Sequence, residues 1–144
     1  MQTVRDILKK KGPVVWFVSP DVSVYDALKL MAEKNVGAVL VMVDGRPIGI
    51  LSERDYARQV ILKGKTSRDT PVREIMTSRV VFVRPDQSVD ECMAVMTDKR
   101  IRHLPVLEAG NLIGLLSVGD VVKAVISDKQ FLIEQLENYI ASGG

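Results

Sequence analysis

Two stretches of the chain carry the same residue types at the same spacing: Gly49-Ile50-Leu51-Ser52-Glu53-Arg54-Asp55 and Gly114-Leu115-Leu116-Ser117-Val118-Gly119-Asp120. A serine followed three residues later by an acid is the pattern of a helix capping box, in which the hydroxyl accepts from a backbone N–H and the carboxylate from the serine's own N–H. The same groups suit a nucleotide. Free N–H groups at a helix start and a serine hydroxyl can hold phosphate, and a carboxylate can accept both hydroxyls of a ribose. Capping accounts for the serine and the aspartate. It leaves unexplained the glycine ahead of them in both copies and the apolar strand that would wall a cavity.

Catalytic constellations are not evident. With one cysteine, Cys92, and one histidine, His103, the chain has no histidine pair at metal-ligand spacing and cannot supply a structural zinc site of four ligands. Neither a Gly-x-Ser-x-Gly elbow nor a Walker-type Gly-x-x-x-x-Gly-Lys occurs, and nothing points to an acid that would orient a serine–histidine pair. The expectation is a protein that is not an enzyme and requires no metal. One thiol forms no internal disulfide, which fits a reducing cytoplasm. The 144 residues are 47% hydrophobic, enough for a sizeable core. The longest nearly apolar run, 36–43, is far short of the ~20 residues a membrane helix needs, and the N-terminus lacks a signal-peptide apolar region. The expectation is a cytoplasmic protein with no membrane contact. A net charge of +2 is too near balance to argue for nucleic acid.

The elements that must position these residues come as a repeat. Shifting the chain by 65 residues aligns 20–55 with 85–120 at 13 identities in 36 positions, without a gap. Ser23 and Ser88 are N-cap candidates with Asp26 and Glu91 three residues on. Val24, Ala27, Leu28 and Met31 then fall at helical spacing, as do Val89, Cys92, Met93 and Met96. Apolar runs at 38–43 and 104–107, Gly-containing turns, and short apolar strands at 48–51 and 112–116 follow. A second helix starts at Ser52 and at Ser117. With strands expected at 14–18 and 80–83, each repeat reads β-α-β-β-α. The fold class is therefore α/β (α+β), two repeats of one pattern, with repeat 1 over 1–66 and repeat 2 with a C-terminal helix over 67–144. Repeats this small are expected to pack together as one pseudo-two-fold module.

Thr70-Pro71 reads as the start of a short helix carrying Val72, Ile75 and Met76, with 3–8 as its counterpart. Residues 131–140 place Leu132, Ile133, Leu136, Tyr139 and Ile140 at helical spacing, an amphipathic helix needing cover from this chain or a partner. Cys92 lies on the buried stripe and reads as inert core. Trp16 and Tyr25 read as packing or interface residues rather than base-stacking ones, and Lys9-Lys10-Lys11 as a solvated end. Arg54 suits either a phosphate or a solvated acid on the helix surface.

The doubled pattern, with Gly-h-h-Ser-x-x-Asp (h, apolar) closing each unit and Ile101-Arg102-His103-Leu104-Pro105-Val106 in the second, resembles the CBS domain pair, or Bateman module, from about Thr3 to Ile126. It looks like a stand-alone bacterial pair. The resemblance implies a regulatory sensor of adenosine-containing ligands (AMP, ADP, ATP, NAD(H) or S-adenosylmethionine) bound in clefts between the repeats, with a conformational change on binding, in a homodimer. Carried over by position, it implies that Asp55 and Asp120 hold ribose hydroxyls and that Ser52 and Ser117 face phosphate. Adenine would lie against Val36, Gly37 and Ala38 in one site and Ile101, Arg102 and His103 in the other, near Pro105, with Ile50 or Leu115 as apolar wall. Thr77 and Ser78 match a position that contacts ligand in such pairs. Arg54 has Gly119 as its counterpart, so the second site lacks that guanidinium and would prefer fewer phosphates unless Arg102 or another basic group reaches across. An interaction scaffold working through the C-terminal helix is the alternative. A weaker one is nucleic-acid binding through Arg54, Arg58, Lys63, Lys65, Arg68 and Arg79.

Overall fold

Ser23 and Ser88 start the first helix of each repeat, α2 (Val24–Lys34) and α4 (Val89–Lys99), each serine oxygen accepting from the N–H three residues on at 3.1 Å. In α4 the reciprocal half of the expected box is replaced: Glu91 accepts instead from the Gln87 side chain at 3.2 Å. The apolar stripes Val24, Ala27, Met31 and Val89, Cys92, Met96 are buried as their spacing predicts. Both helices end on a left-handed residue, Asn35 and Arg100, each at φ 54°.

A hairpin follows in each repeat, β2 (Ala38–Val43) with β3 (Arg46–Ser52) and β4 (His103–Glu108) with β5 (Asn111–Ser117). Two-residue loops with positive φ at both positions, Asp44-Gly45 and Ala109-Gly110, close them in the manner that suits strand twist. The registers match residue for residue: Ala38 faces Ser52, His103 faces Ser117, and the ladder shifts at Val41/Met42 and at Val106/Leu107. Residues 38–41 are all buried, the mark of a strand covered on both faces. Val24, Ala27 and Met31 pack with Val39, Val41 and Leu51, and so do Val60, Val72 and Ile75.

The structure is a computed structural model describing residues 2–12 and 14–143, and it forms two compact units. One is Val14–Val81; the other joins Met1–Pro13 to Phe82–Gly144. This division departs from the 66/67 boundary expected from sequence, and backbone hydrogen bonds give the reason. The Val72 N–H donates to Val22 O (2.9 Å) and the Val24 N–H to Thr70 O (2.8 Å). In the other unit the Val4 N–H donates to Gln87 O (2.9 Å) and the Val89 N–H to Gln2 O (3.1 Å). The short segment preceding each repeat thus belongs with the helix start of the other repeat.

Those two segments differ. Residues 4–11 form a full helix, α1 (Val4–Lys11), with a reciprocal capping box between Thr3 and Asp6. The N–H and hydroxyl of Thr3 hold the Asp6 carboxylate below the usual range. The helix expected from Thr70-Pro71 is only a 3₁₀ turn, Val72–Glu74, with Pro71 at the cap position. Thr70 does not cap it. Its buried hydroxyl donates to Thr66 O at 2.7 Å.

Three further expectations change. The strand at 14–18 shrinks to β1 (Phe17–Val18), parallel to β2, and that at 80–83 to a single bridge of Val83 with Val106. Pro13 lies outside the described residues, and Val14 is largely exposed. The helix after Ser52 is α3 (Glu53–Tyr56), which widens into a π-helical stretch over Ala57–Ile61. The helix after Ser117 and the C-terminal amphipathic segment are one element, α5 (Val118–Ala141), because nothing in Ser127-Asp128-Lys129-Gln130 breaks a helix.

Candidate functional site

Each strand-to-helix turn closes as a complete capping box. In the unit of residues 14–81, the Ser52 N–H and hydroxyl donate to Asp55 Oδ2 (2.9 and 3.0 Å), and the Asp55 N–H donates to Ser52 Oγ (3.2 Å). In the other unit the Ser117 N–H donates to Asp120 Oδ2 (2.8 Å) and the Asp120 N–H to Ser117 Oγ (3.2 Å). In both, the cap occupies Oδ2. Asp55 Oδ1 accepts from the Thr77 hydroxyl at a long 3.3 Å. Capping therefore leaves one carboxylate oxygen with acceptor capacity for a ligand hydroxyl.

The residues expected to frame the first site gather around that turn. Gly37 O accepts from the Glu53 N–H (3.1 Å), Ala38 stands opposite Ser52, and Ile50 and Thr77 exchange two backbone hydrogen bonds (3.0 and 2.9 Å). Val36 and Gly37 are half-buried and Ala38 is buried, whereas Arg54, Thr77 and Ser78 are exposed. Among the described residues Arg54 enters no ion pair.

The second set gathers likewise. Arg102 O accepts from the Val118 N–H (2.8 Å), half-buried His103 faces Ser117, and Leu115 faces the buried Pro105, whose carbonyl accepts from the Val83 N–H at 3.0 Å. One residue here reverses the sequence reading. Lys11, expected at a solvated end, reaches Asp120 Oδ2 at 2.6 Å and Leu115 O at 2.7 Å. Burial pushes the Asp120 carboxyl up, but the Lys11 ammonium and the Ser117 N–H outweigh it and hold it below the usual carboxylate range. The cation that Gly119 lacks is thus present. It lies on α1, outside the repeat that a local motif search covers.

The glycines that capping left unexplained have a packing reason. A Cβ at Gly49 would meet Met76 Sδ at 2.7 Å and Thr77 O at 3.0 Å; one at Gly114 would meet Leu8 Cδ2 at 2.5 Å. Each glycine admits the segment that precedes the other repeat. Of the basic residues considered for nucleic acid, Arg68 stacks on Tyr25 (4.0 Å) and Lys65 pairs with Glu74 (3.9 Å). Trp16 carries Lys34 at 4.4 Å, so both rings already hold a cation. Cys92 is fully buried, and burial pushes its thiol up to about 11.

Comparison with known proteins places the pattern. The CBS domain model matches residues 4–61 and 72–127. The chain belongs to the CBS domain family. It is 40% identical to the mitochondrial CBS domain-containing protein CBSX3 of Arabidopsis thaliana over 98% of this chain and 73% of that one. A protein with CBS domains from Burkholderia ambifaria superposes with a TM-score of 0.85 at 54% identity, over 88% of this chain and 96% of the other. CBSX2, solved in complex with AMP, superposes with a TM-score of 0.73 at 30% identity, over 90% and 99%. This CBS pair thus carries one Ser-x-x-Asp turn in each unit. Among its described residues no helix is long and apolar enough to cross a membrane, and no group of three His, Cys, Asp or Glu could hold a metal ion.

Proposed function

We propose that this CBS pair is a non-enzymatic, cytoplasmic regulatory module that binds an adenosine-containing nucleotide, AMP, ATP or NAD(H), at the Ser-x-x-Asp turn of each unit and changes conformation on binding. The observation that carries the reading is that the cap engages Oδ2 of the aspartate in both units and leaves Oδ1 outside it, each with a cation within the unit. The AMP complex of the related CBSX2 supports the ligand class. Asp55 and Asp120 take ribose hydroxyls. Phosphate lies toward Ser52 with Arg54 and toward Ser117 with Lys11, which moves from carboxylate to phosphate as the ligand enters. Val36–Ala38 with Ile50 and Thr77, and Ile101–His103 with Leu115, border the adenine. Binding shifts the conformation to the extent that two states differ in affinity for the ligand.

The test is thermal unfolding against AMP, ATP, NAD, NADH, S-adenosylmethionine and GTP, with Asp55→Ala and Asp120→Ala alongside. A ligand at about a hundred times its dissociation constant adds roughly 2.7 kcal/mol, several degrees in melting temperature. Adenine ligands stabilise the wild type, and each substitution removes part of the shift. If no ligand stabilises the protein, both turns are helix caps alone and the module is an interaction scaffold.

A further inference from the structure

α5 runs fourteen residues past the end of the family match at 127, and its exposed apolar residues, Phe131 excepted, follow a seven-residue period. Ile126, Ile133 and Ile140 fall at one heptad position, a, and Val122, Lys129 and Leu136 at the other core position, d. Val122 is 40% exposed, and the three isoleucines and Leu136 are 54–73% exposed. The residues with which α5 buries itself, Val121 and Ala124, lie on a different face. Isoleucine at three successive a positions, with Val122 and Leu136 at d, makes the apolar seam of a coiled coil, which Lys129 alone interrupts.

Charge settles both the occupant and its direction. The N-terminal half of the stripe is flanked by Lys123 and contains Lys129, and the C-terminal half is flanked by Glu134 and Glu137. In a parallel pair Lys129 would meet its own copy in the seam, and Glu137 would lie beside the apolar Leu132. In an antiparallel pair a meets d: Ile126 lies on Leu136 of the second copy, Val122 on Ile140, and Lys129 on Ile133, near the opposite Glu134. The flanking e positions then set Lys123 beside Glu137 of the second copy, twice by symmetry, and the helix dipoles oppose each other favourably. We infer that the C-terminal half of α5 is a dimerisation element that pairs antiparallel with the same helix of a second copy of this chain.

The test uses the full chain. By sedimentation velocity the wild type is a dimer, and Ile133→Glu shifts it to monomer with its far-UV circular dichroism retained. Lys123→Glu and Glu137→Lys each raise the dimer dissociation constant about 3- to 10-fold, and the double variant returns it to within about twofold of wild type. Leu132→Cys, beside the two-fold axis, is trapped as a covalent dimer by a short bis-maleimide. Ile140→Cys is not, because its two copies lie roughly 27 Å apart; buried Cys92 stays silent. The inference is overturned by a monomeric wild type, whether it binds anionic vesicles or another protein through α5. It is overturned equally by a dimer indifferent to Ile133→Glu, by failure of the double swap to restore association, or by cross-linking at Ile140→Cys.

Discussion

The two units hold the same Ser-x-x-Asp turn but set different chemistry against it. In the unit of residues 14–81, Asp55 is met by a neutral hydroxyl, Thr77, at 3.3 Å, and the cation at hand, the exposed Arg54 on α3, enters no ion pair among the described residues. In the other unit Asp120 is already held by Lys11 at 2.6 Å, and the residue beside the serine is followed by Gly119. Under the proposed function, a ligand entering the first unit would displace one long hydrogen bond. One entering the second would compete with a charge-assisted bond unless it brings an anion that Lys11 can follow. The two units share a backbone frame and differ in the charge set against the turn.

The widest gap between the units is expected at their glycines. Neither Gly49 nor Gly114 has positive φ, so alanine is conformationally tolerable at both, and the outcome depends on what the new methyl meets. At Gly49 it meets Met76 and also the fixed carbonyl of Thr77, which is hydrogen-bonded to the Ile50 N–H at 3.0 Å. At Gly114 the three nearest atoms all belong to the rotatable end of Leu8. Gly49→Ala therefore costs about 1–3 kcal/mol in urea unfolding, and Gly114→Ala under about 1 kcal/mol. Adding Met76→Ala removes the nearer clash and recovers only part of the Gly49→Ala loss, since the carbonyl stays in place. Equal losses at the two sites would remove the distinction between a backbone and a side-chain neighbour.

Next in size is Lys11→Met, which makes the second turn resemble the first. The Asp120 carboxyl, held low when folded, then titrates nearer the ordinary value of about 3.9. A depressed carboxylate contributes stability that is fully present above the unfolded value and is lost as pH falls through the folded one. The wild type thus exceeds Lys11→Met by about 0.5–1 kcal/mol at pH 7, and the difference closes below about pH 4. Denaturation at both pH values, with a carboxyl titration of Asp120 by NMR, reads it. Under the proposed function, Lys11→Met also weakens phosphate-bearing ligands at Ser117 and Asp120 while sparing Ser52 and Asp55, and uniform weakening of both sites would contradict separate cations.

How much of this a linear reading shows follows the range of the interactions. The capped helices, the hairpins, both turns and the buried stripes depend on residues three or four apart or on strict alternation, and their patterns sit in the 65-residue repeat. Lys11 on Asp120 and Leu8 over Gly114 join residues more than a hundred apart. No local period announces them. The exchange of pre-repeat segments is hidden for the same reason: Thr70-Pro71 has the composition of a helix start, but the Thr70 carbonyl and the Val72 N–H are drawn into bonds with residues 22–24, leaving one 3₁₀ turn. Ser127 to Gln130 read as polar punctuation, although four tolerable helix residues between two apolar stretches continue a helix.

The smallest expected difference lies at the hairpin loops, where the second copy has drifted from what its backbone prefers. Asp44 and Ala109 occupy the same position with φ of 50° and 51°, each followed by a glycine with positive φ. A left-handed backbone brings Cβ too near the following carbonyl, at a cost of roughly 1 kcal/mol for alanine. Aspartate and asparagine offset part of it with local hydrogen bonds. Ala109→Asn should therefore stabilise the protein by about 0.5 kcal/mol, a melting shift of one or two degrees, and Asp44→Ala should destabilise it by a similar amount. The helix ends offer a parallel: Arg100, left-handed where the first repeat has Asn35, gains a few tenths of a kcal/mol as Arg100→Asn. Both gains come from backbone preference alone, so they add. If Ala109→Asn and Arg100→Asn together left the melting temperature unchanged, strain at these positions would not be what separates the second repeat from the first.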